Sequence, residues 1–240
     1  MVVTAVFLDI DVVWPDTDKL SAEYQCLMGD VLAAALGGTP EDWGRANAAV
    51  YGSVFAEVQA WEGEPMEIFS FEYTTSIRRM CAWLDIQPPA ESECARLGRA
   101  FNIYVRRNVD SIFPAAADVV RTLAGSFDVH LATGNLTWLG EAVLNNIGVR
   151  DLIGVPAGPD LVERQKGTPG FYLPVLRLAA ADPATSVVVD DVEHVLTDAH
   201  AAGARTVLVA PPSHEPEPHI DRVISNISEL PEAIRRIATG

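Results

Sequence analysis

The chain has 240 residues and a formal net charge of −16, and nearly half of its residues are apolar. That length accommodates one large α/β domain or a smaller one carrying an insertion, and the composition is that of an ordered globular protein. The acidity excludes a nucleic-acid backbone or an anionic membrane as the main partner, because either would be repelled on approach, but it leaves room for local ion sites.

The N-terminus MVVTAVFLDID meets acidic residues too early for a signal peptide, and no apolar run approaches the ~20 residues of a membrane span. A cytosolic protein is expected. Its cysteines, Cys26, Cys81 and Cys94, are odd in number and lack metal-type spacing, which predicts reduced, structural thiols.

Residues 3–8 are β-branched and apolar without alternation, the pattern of a parallel strand buried on both faces. Four amphipathic helical stretches follow, over 18–38, 40–61, 66–86 and 88–109, separated by Gly, Pro and acidic residues. After Pro114 the pattern becomes an alternation of helices (115–125, 136–148, 169–179, 192–203) and strands (127–133, 152–158, 185–191, 204–211). This rhythm predicts a Rossmann-like parallel sheet with right-handed crossovers and helices on both faces. The expected organisation is an α/β core, 1–14 and 110–240, split after its first strand by a helical unit over 15–109.

In open α/β sheets ligands bind beyond the carboxyl ends of the strands. Asp9 and Asp11 follow the first strand, Thr133, Gly134 and Asn135 the second, and Asp190 and Asp191 close the run SVVV, while Lys166 falls in a loop and helix-start region. Each piece alone has an ordinary reading. D-x-D can be a turn or a cap, Thr133 can cap the helix beginning at Leu136, Asp-Asp before a helix suits its dipole, and a lone lysine is by default a solvated charge. Their order at one end of one sheet is what points to chemistry. Asp9 and Asp11 also need an explanation, since two unit charges about 4 Å apart repel by roughly 4 kcal/mol at an effective dielectric near 20.

FLDIDVV, VHLATGN, KGTPGFYLPVLRLAAADP and SVVVDDVEHVLTDAHAAGARTVLV together resemble the haloacid dehalogenase superfamily, with a helical cap inserted after the first core strand. The resemblance implies a Mg²⁺-dependent phosphatase acting on a small phosphorylated metabolite, the cap restricting its size. Asp9 would attack phosphorus to form an aspartyl phosphate, and Asp11 would protonate the leaving oxygen and then activate water. Mg²⁺ would be held by Asp9, the Asp11 carbonyl and Asp191, with Asp190 a further ligand or a supporting group. Lys166 and Thr133, with the backbone at Gly134 and Asn135, would hold the phosphoryl oxygens.

The sequence departs from the family pattern at Val12, where Gly is usual, at Val13, where Thr is common, and at Val195, where many members carry an acid. Trp14, followed by Pro15, is expected to pack under the cap or to face the substrate space. His130 is expected in the core and His194 at a helix start, and Arg78, Arg79, Arg106 and Arg107 on solvated helix faces. A phosphomutase would use the same residues. A haloacid dehalogenase fits less well, because carbon–halogen cleavage needs no leaving-group proton and Asp11 stands where such enzymes lack an acid. A non-catalytic phosphate-binding relative or receiver-like module is the alternative from another class, and receivers are shorter and lack the cap.

Overall fold

The computed structural model describes residues 2–11, 17–62, 64, 66–112 and 115–239. Val12, Val13, Trp14 and Pro15, on which the expectations for the turn after Asp11 and for the tryptophan ring fall, lie outside the described residues. The chain divides into two compact units, Met1–Pro15 with Ile112–Gly240 and Asp16–Ser111.

The first unit is built on six parallel strands, β1 (Ala5–Leu8), β2 (Asp128–Ala132), β3 (Ile153–Ala157), β4 (Ser186–Asp190), β5 (Arg205–Val209) and β6 (Arg222–Ile224). Their order is β3-β2-β1-β4-β5-β6, so β1 lies at the point where the chain stops adding strands on one side and starts on the other. Alternation along each strand explains the unbroken apolar runs. Val6, Leu8, Leu131, Val187 and Val189 enter one core layer with α5 (Ala116–Ala124), α6 (Thr137–Asn146) and α10 (Leu230–Thr239). Ala5, Phe7, Ala132 and Val188 enter the opposite layer with α8 (Tyr172–Leu178) and α9 (Glu193–Ala201). Both faces are covered, as a parallel sheet requires. His130 is a core residue: its ring stacks on Phe7 at 4.8 Å between centroids and its Nδ1 accepts the N–H of Val155 at 3.1 Å. Burial pushes its pKa down.

The chain beyond 211 goes further than the sequence suggests, adding the three-residue edge strand β6 and the amphipathic α10. A single helical turn, α7 (Pro159–Val162), also follows β3.

The second unit consists of α1 (Thr17–Leu36), α2 (Pro40–Gln59), α3 (Glu67–Trp83) and α4 (Glu91–Asn108). Met28, Leu32, Trp43, Val50, Ile77, Met80, Leu97 and Phe101 close its core from all four helices. The hydroxyl of Thr39 accepts the N–H of Asp42, capping α2, and the Trp43 indole N–H donates to the carbonyl of Gly37 at 2.8 Å. Helices α3 and α4 approach so closely that a Cβ on Gly98 would lie 2.3 Å from the Cβ of Tyr73. Glu23 on α1 accepts the N–H groups of Asp110 and Ser111 at 2.9 and 2.8 Å, tying the end of the unit to its beginning. Cys26, Cys81 and Cys94 are all free; the latter two are buried, and Cys26 is exposed. No helix among the described residues is long and apolar enough to cross a membrane.

Candidate active site

Strand register places the first pair of acids. Leu8 pairs with Val189, and the N–H of Asp9 donates to the Val189 carbonyl at 2.9 Å, so Asp9 stands level with Asp190 on the neighbouring strand. Asp9 follows Phe7, and Asp190 follows Val188, by two residues, which sends both carboxylates to the same face of the sheet. They are 4 % and 1 % exposed. Two buried carboxylates side by side demand a cation, and Lys166 supplies it.

Lys166 lies in the loop between α7 and α8 with its side chain 7 % exposed. Its Nζ donates to Oδ1 of Asp9 at 2.5 Å and to Oδ2 of Asp190 at 2.6 Å. Burial alone would lower the lysine pKa, but the charges of Asp9 and Asp190 outweigh it and hold the ammonium protonated. The remaining oxygens are also engaged. Oδ2 of Asp9 accepts the N–H of Asp11 at 2.9 Å, and Oδ1 of Asp190 accepts the N–H of Val192 at 3.0 Å.

Asp191, one residue beyond β4, is exposed as a residue, yet partial desolvation against the site together with the charges of Asp9 and Asp11 pushes its pKa up. Oxygens of Asp9, Asp190 and Asp191 lie within 4.8 Å of one another, the metal-type cluster found among the described residues. Such a set of hard oxygen donors fits Mg²⁺. Asp11 is exposed.

The third group arrives from β2. Thr133 is fully buried, its N–H donates to the Ala157 carbonyl at 2.9 Å, and its hydroxyl accepts the N–H of Asn135 at 3.1 Å. Its methyl group faces α6, 3.5 Å from where a Cβ on Gly140 would stand, on the sheet face carrying Leu131 rather than that of Asp9. Gly134 borders the lysine directly: a Cβ there would lie 3.7 Å from Cβ and Cδ of Lys166. The structure thus joins Asp9, Lys166 and Asp190 by direct bonds and sets Asp11, Asp191 and Gly134 beside them. Thr133 and Asn135 bond to each other, and among the described residues neither bonds to Asp9 or Lys166.

Two residues of this neighbourhood are not evident from the sequence. Tyr172, fully buried at the start of α8, donates its hydroxyl to Oδ2 of Asp190 at 3.3 Å, and burial raises its pKa well above the ordinary phenol range, which keeps it a donor. Asp198 on α9 accepts the N–H groups of Gly170 and Tyr172. The rarity of lysine, two against fifteen arginines, marks Lys166 and neither of these two residues. His194 stands in the first turn of α9, and Arg79 is bound to Glu57 and Ser53 within the helical unit.

No family model matches the sequence, and no curated protein matches it. Solved structures do. The HAD-hydrolase YfnB from Bacillus subtilis, bound to magnesium, is similar with a TM-score of 0.68 at 13 % identity, covering 98 % of this chain and 99 % of that one. The 2-haloacid dehalogenase from Pseudomonas syringae gives 0.65 at 20 % identity over 98 % of this chain and 100 % of its own. The L-2-haloacid dehalogenase from Xanthobacter autotrophicus, with chloropropionic acid covalently bound, gives 0.64 at 17 % identity over 98 % and 100 %. The fold is that of the haloacid dehalogenase superfamily, as the sequence motifs implied.

Proposed function

Proceeding from that fold, we propose that the protein is a Mg²⁺-dependent phosphatase that hydrolyses a small phosphorylated metabolite through an aspartyl phosphate on Asp9. The observation that carries this reading is the Asp9–Lys166–Asp190 cluster with Asp191 alongside and Asp11 two residues past the nucleophile. Asp9 is positioned by its own backbone bond to β4 and by Lys166, whose charge also offsets the repulsion between a carboxylate and an incoming phosphate. Asp11, exposed and two residues past Asp9, is the group placed to give a proton to the leaving oxygen and then take one from water. The metal, held by Asp9, the Asp11 carbonyl and Asp191, supplies further positive charge to a phosphoryl group when bound.

A second reading, haloacid dehalogenase, is favoured by the solved structures of that activity among the neighbours. Asp11 speaks against it, because halide departs without a proton and a leaving-group acid has no task in that reaction.

The two readings separate in one experiment. Purified protein with Mg²⁺ is offered a panel of phosphate monoesters and, separately, 2-chloropropionate, and phosphate and halide release are measured. Phosphate release is expected, abolished by excess EDTA and lowered at least about 10³-fold by Asp9→Asn, which keeps the shape and removes the nucleophilic charge. Halide release that persists in EDTA, with no phosphate release from any ester, would overturn the proposal in favour of dehalogenation.

A further inference from the structure

We infer that Asp198 is a positioning residue, which holds the segment 166–172 so that Lys166 meets Asp9 and Asp190. Helix α8 begins at Tyr172 with Phe171 as its cap residue and no side-chain cap of its own. The first N–H groups of a helix have no intrahelical acceptor. Asp198 provides one from the neighbouring helix: its Oδ1 accepts the N–H of Gly170 at 2.5 Å and its Oδ2 that of Tyr172 at 2.9 Å. Both oxygens of one carboxylate are thus spent on the backbone of this segment.

The path of the segment is otherwise set by two residues in the left-handed region, Gly167 at φ +89° and Gly170 at φ +86°. A chain that can turn at two glycines is pliable unless something fixes it. Both of its ends reach Asp190, through Nζ of Lys166 at one and the hydroxyl of Tyr172 at the other. Between them the only carboxylate that holds the backbone among the described residues is Asp198. Loss of Asp198 therefore frees the lysine while leaving Asp9, Asp190, Lys166 and Tyr172 chemically intact. The consequence for turnover rests on the phosphatase reading; the consequence for Lys166 does not.

The chain's two lysines, Lys19 and Lys166, make a direct test possible. Brief acetylation with acetic anhydride, followed by mass spectrometry of the two lysine peptides, reports Lys166 with Lys19, whose side chain is 59 % exposed, as internal control. In Asp198→Ala and in the near-isosteric Asp198→Asn, Lys166 should label about tenfold faster or more while Lys19 does not change, as local opening of one segment requires. With p-nitrophenyl phosphate and saturating Mg²⁺, kcat should fall about 10- to 100-fold with KM held within about threefold, the mark of misplaced groups rather than lost binding. Should Asp198→Ala fail to fold, Gly170→Ala, strained at its positive φ, opens the same segment and must give the same labelling change. Folded variants in which Lys166 labels at the wild-type rate overturn the inference, and so does faster labelling with unchanged kcat. Wild-type protein that hydrolyses no phosphate ester sinks the phosphatase reading alone, since the labelling still decides what Asp198 does.

Discussion

Asp190 and Asp191 are neighbours in sequence and different in chemistry. The oxygens of Asp190 are taken by the Val192 N–H, Lys166 and Tyr172, whereas Asp191, an exposed residue, brings a carboxylate oxygen within 4.8 Å of those of Asp9 and Asp190. On the phosphatase reading Asp191 is the expected ligand and Asp190 the group that steadies the lysine. Asp191→Ala should weaken Mg²⁺ binding by more than about tenfold, with Asp190→Asn costing less, in isothermal titration of the purified protein; equal losses would show that both acids ligate. The acids themselves were legible because each closes an apolar run, and a charge at the end of a doubly buried strand stands out. Tyr172 was not. Within GFYLPVL it reads as one more core aromatic, and nothing local tells that its hydroxyl ends on an aspartate 18 residues away. Nor does the sequence tell how Thr133 is turned, with its methyl group facing α6 and its hydroxyl accepting the N–H of Asn135.

Helix starts on this rim are capped across the fold. The sequence allows Thr133 to cap α6; instead Asp160 in α7 accepts both the N–H and the hydroxyl of Thr137 at 2.7 Å, and the same hydroxyl accepts the N–H of Gly158. Asp198 serves α8 in the same way. Local spacing rules describe caps three residues away, so partners 23 and 26 residues distant leave no trace in the sequence. Helix α10 is a different case: Leu230, Ala233, Ile234 and Ile237 form an apolar stripe, but the helix lies beyond the alternating elements from which the sheet was read. Strand β6 was hidden by its brevity and by the prolines before it. If Asp160 is the cap, Asp160→Ala should lower stability by about 1–2 kcal/mol, read as a fall in the urea midpoint at unchanged slope. A midpoint within error of wild type would mean that the Thr137 hydroxyl alone suffices.

At the scale of the whole molecule, the phosphatase reading asks an acidic protein to receive an anion. The net charge of −16 is carried by 33 acids against 17 basic residues, and the cation brought into the cluster, Lys166, is already bound to two aspartates. The local site can favour a phosphate once it has arrived, but over longer distances the surrounding field opposes its approach. Local and global electrostatics thus have opposite signs, and salt tells them apart. The Debye length falls from roughly 30 Å at 0.01 M to about 8 Å at 0.15 M, which screens the distant acids while hardly touching contacts of the length made by Lys166. For a dianionic phosphate ester at fixed, saturating Mg²⁺, kcat/KM should therefore rise about two- to tenfold between 10 and 150 mM NaCl. Turnover itself should stay level, since kcat reports the bound complex. A neutral analogue would not show the rise, but a second anion of different shape should. Steady-state kinetics across that salt range decide the matter: a kcat/KM that falls with salt would mean that the positive charge of the site reaches beyond the acidic surface and governs substrate capture.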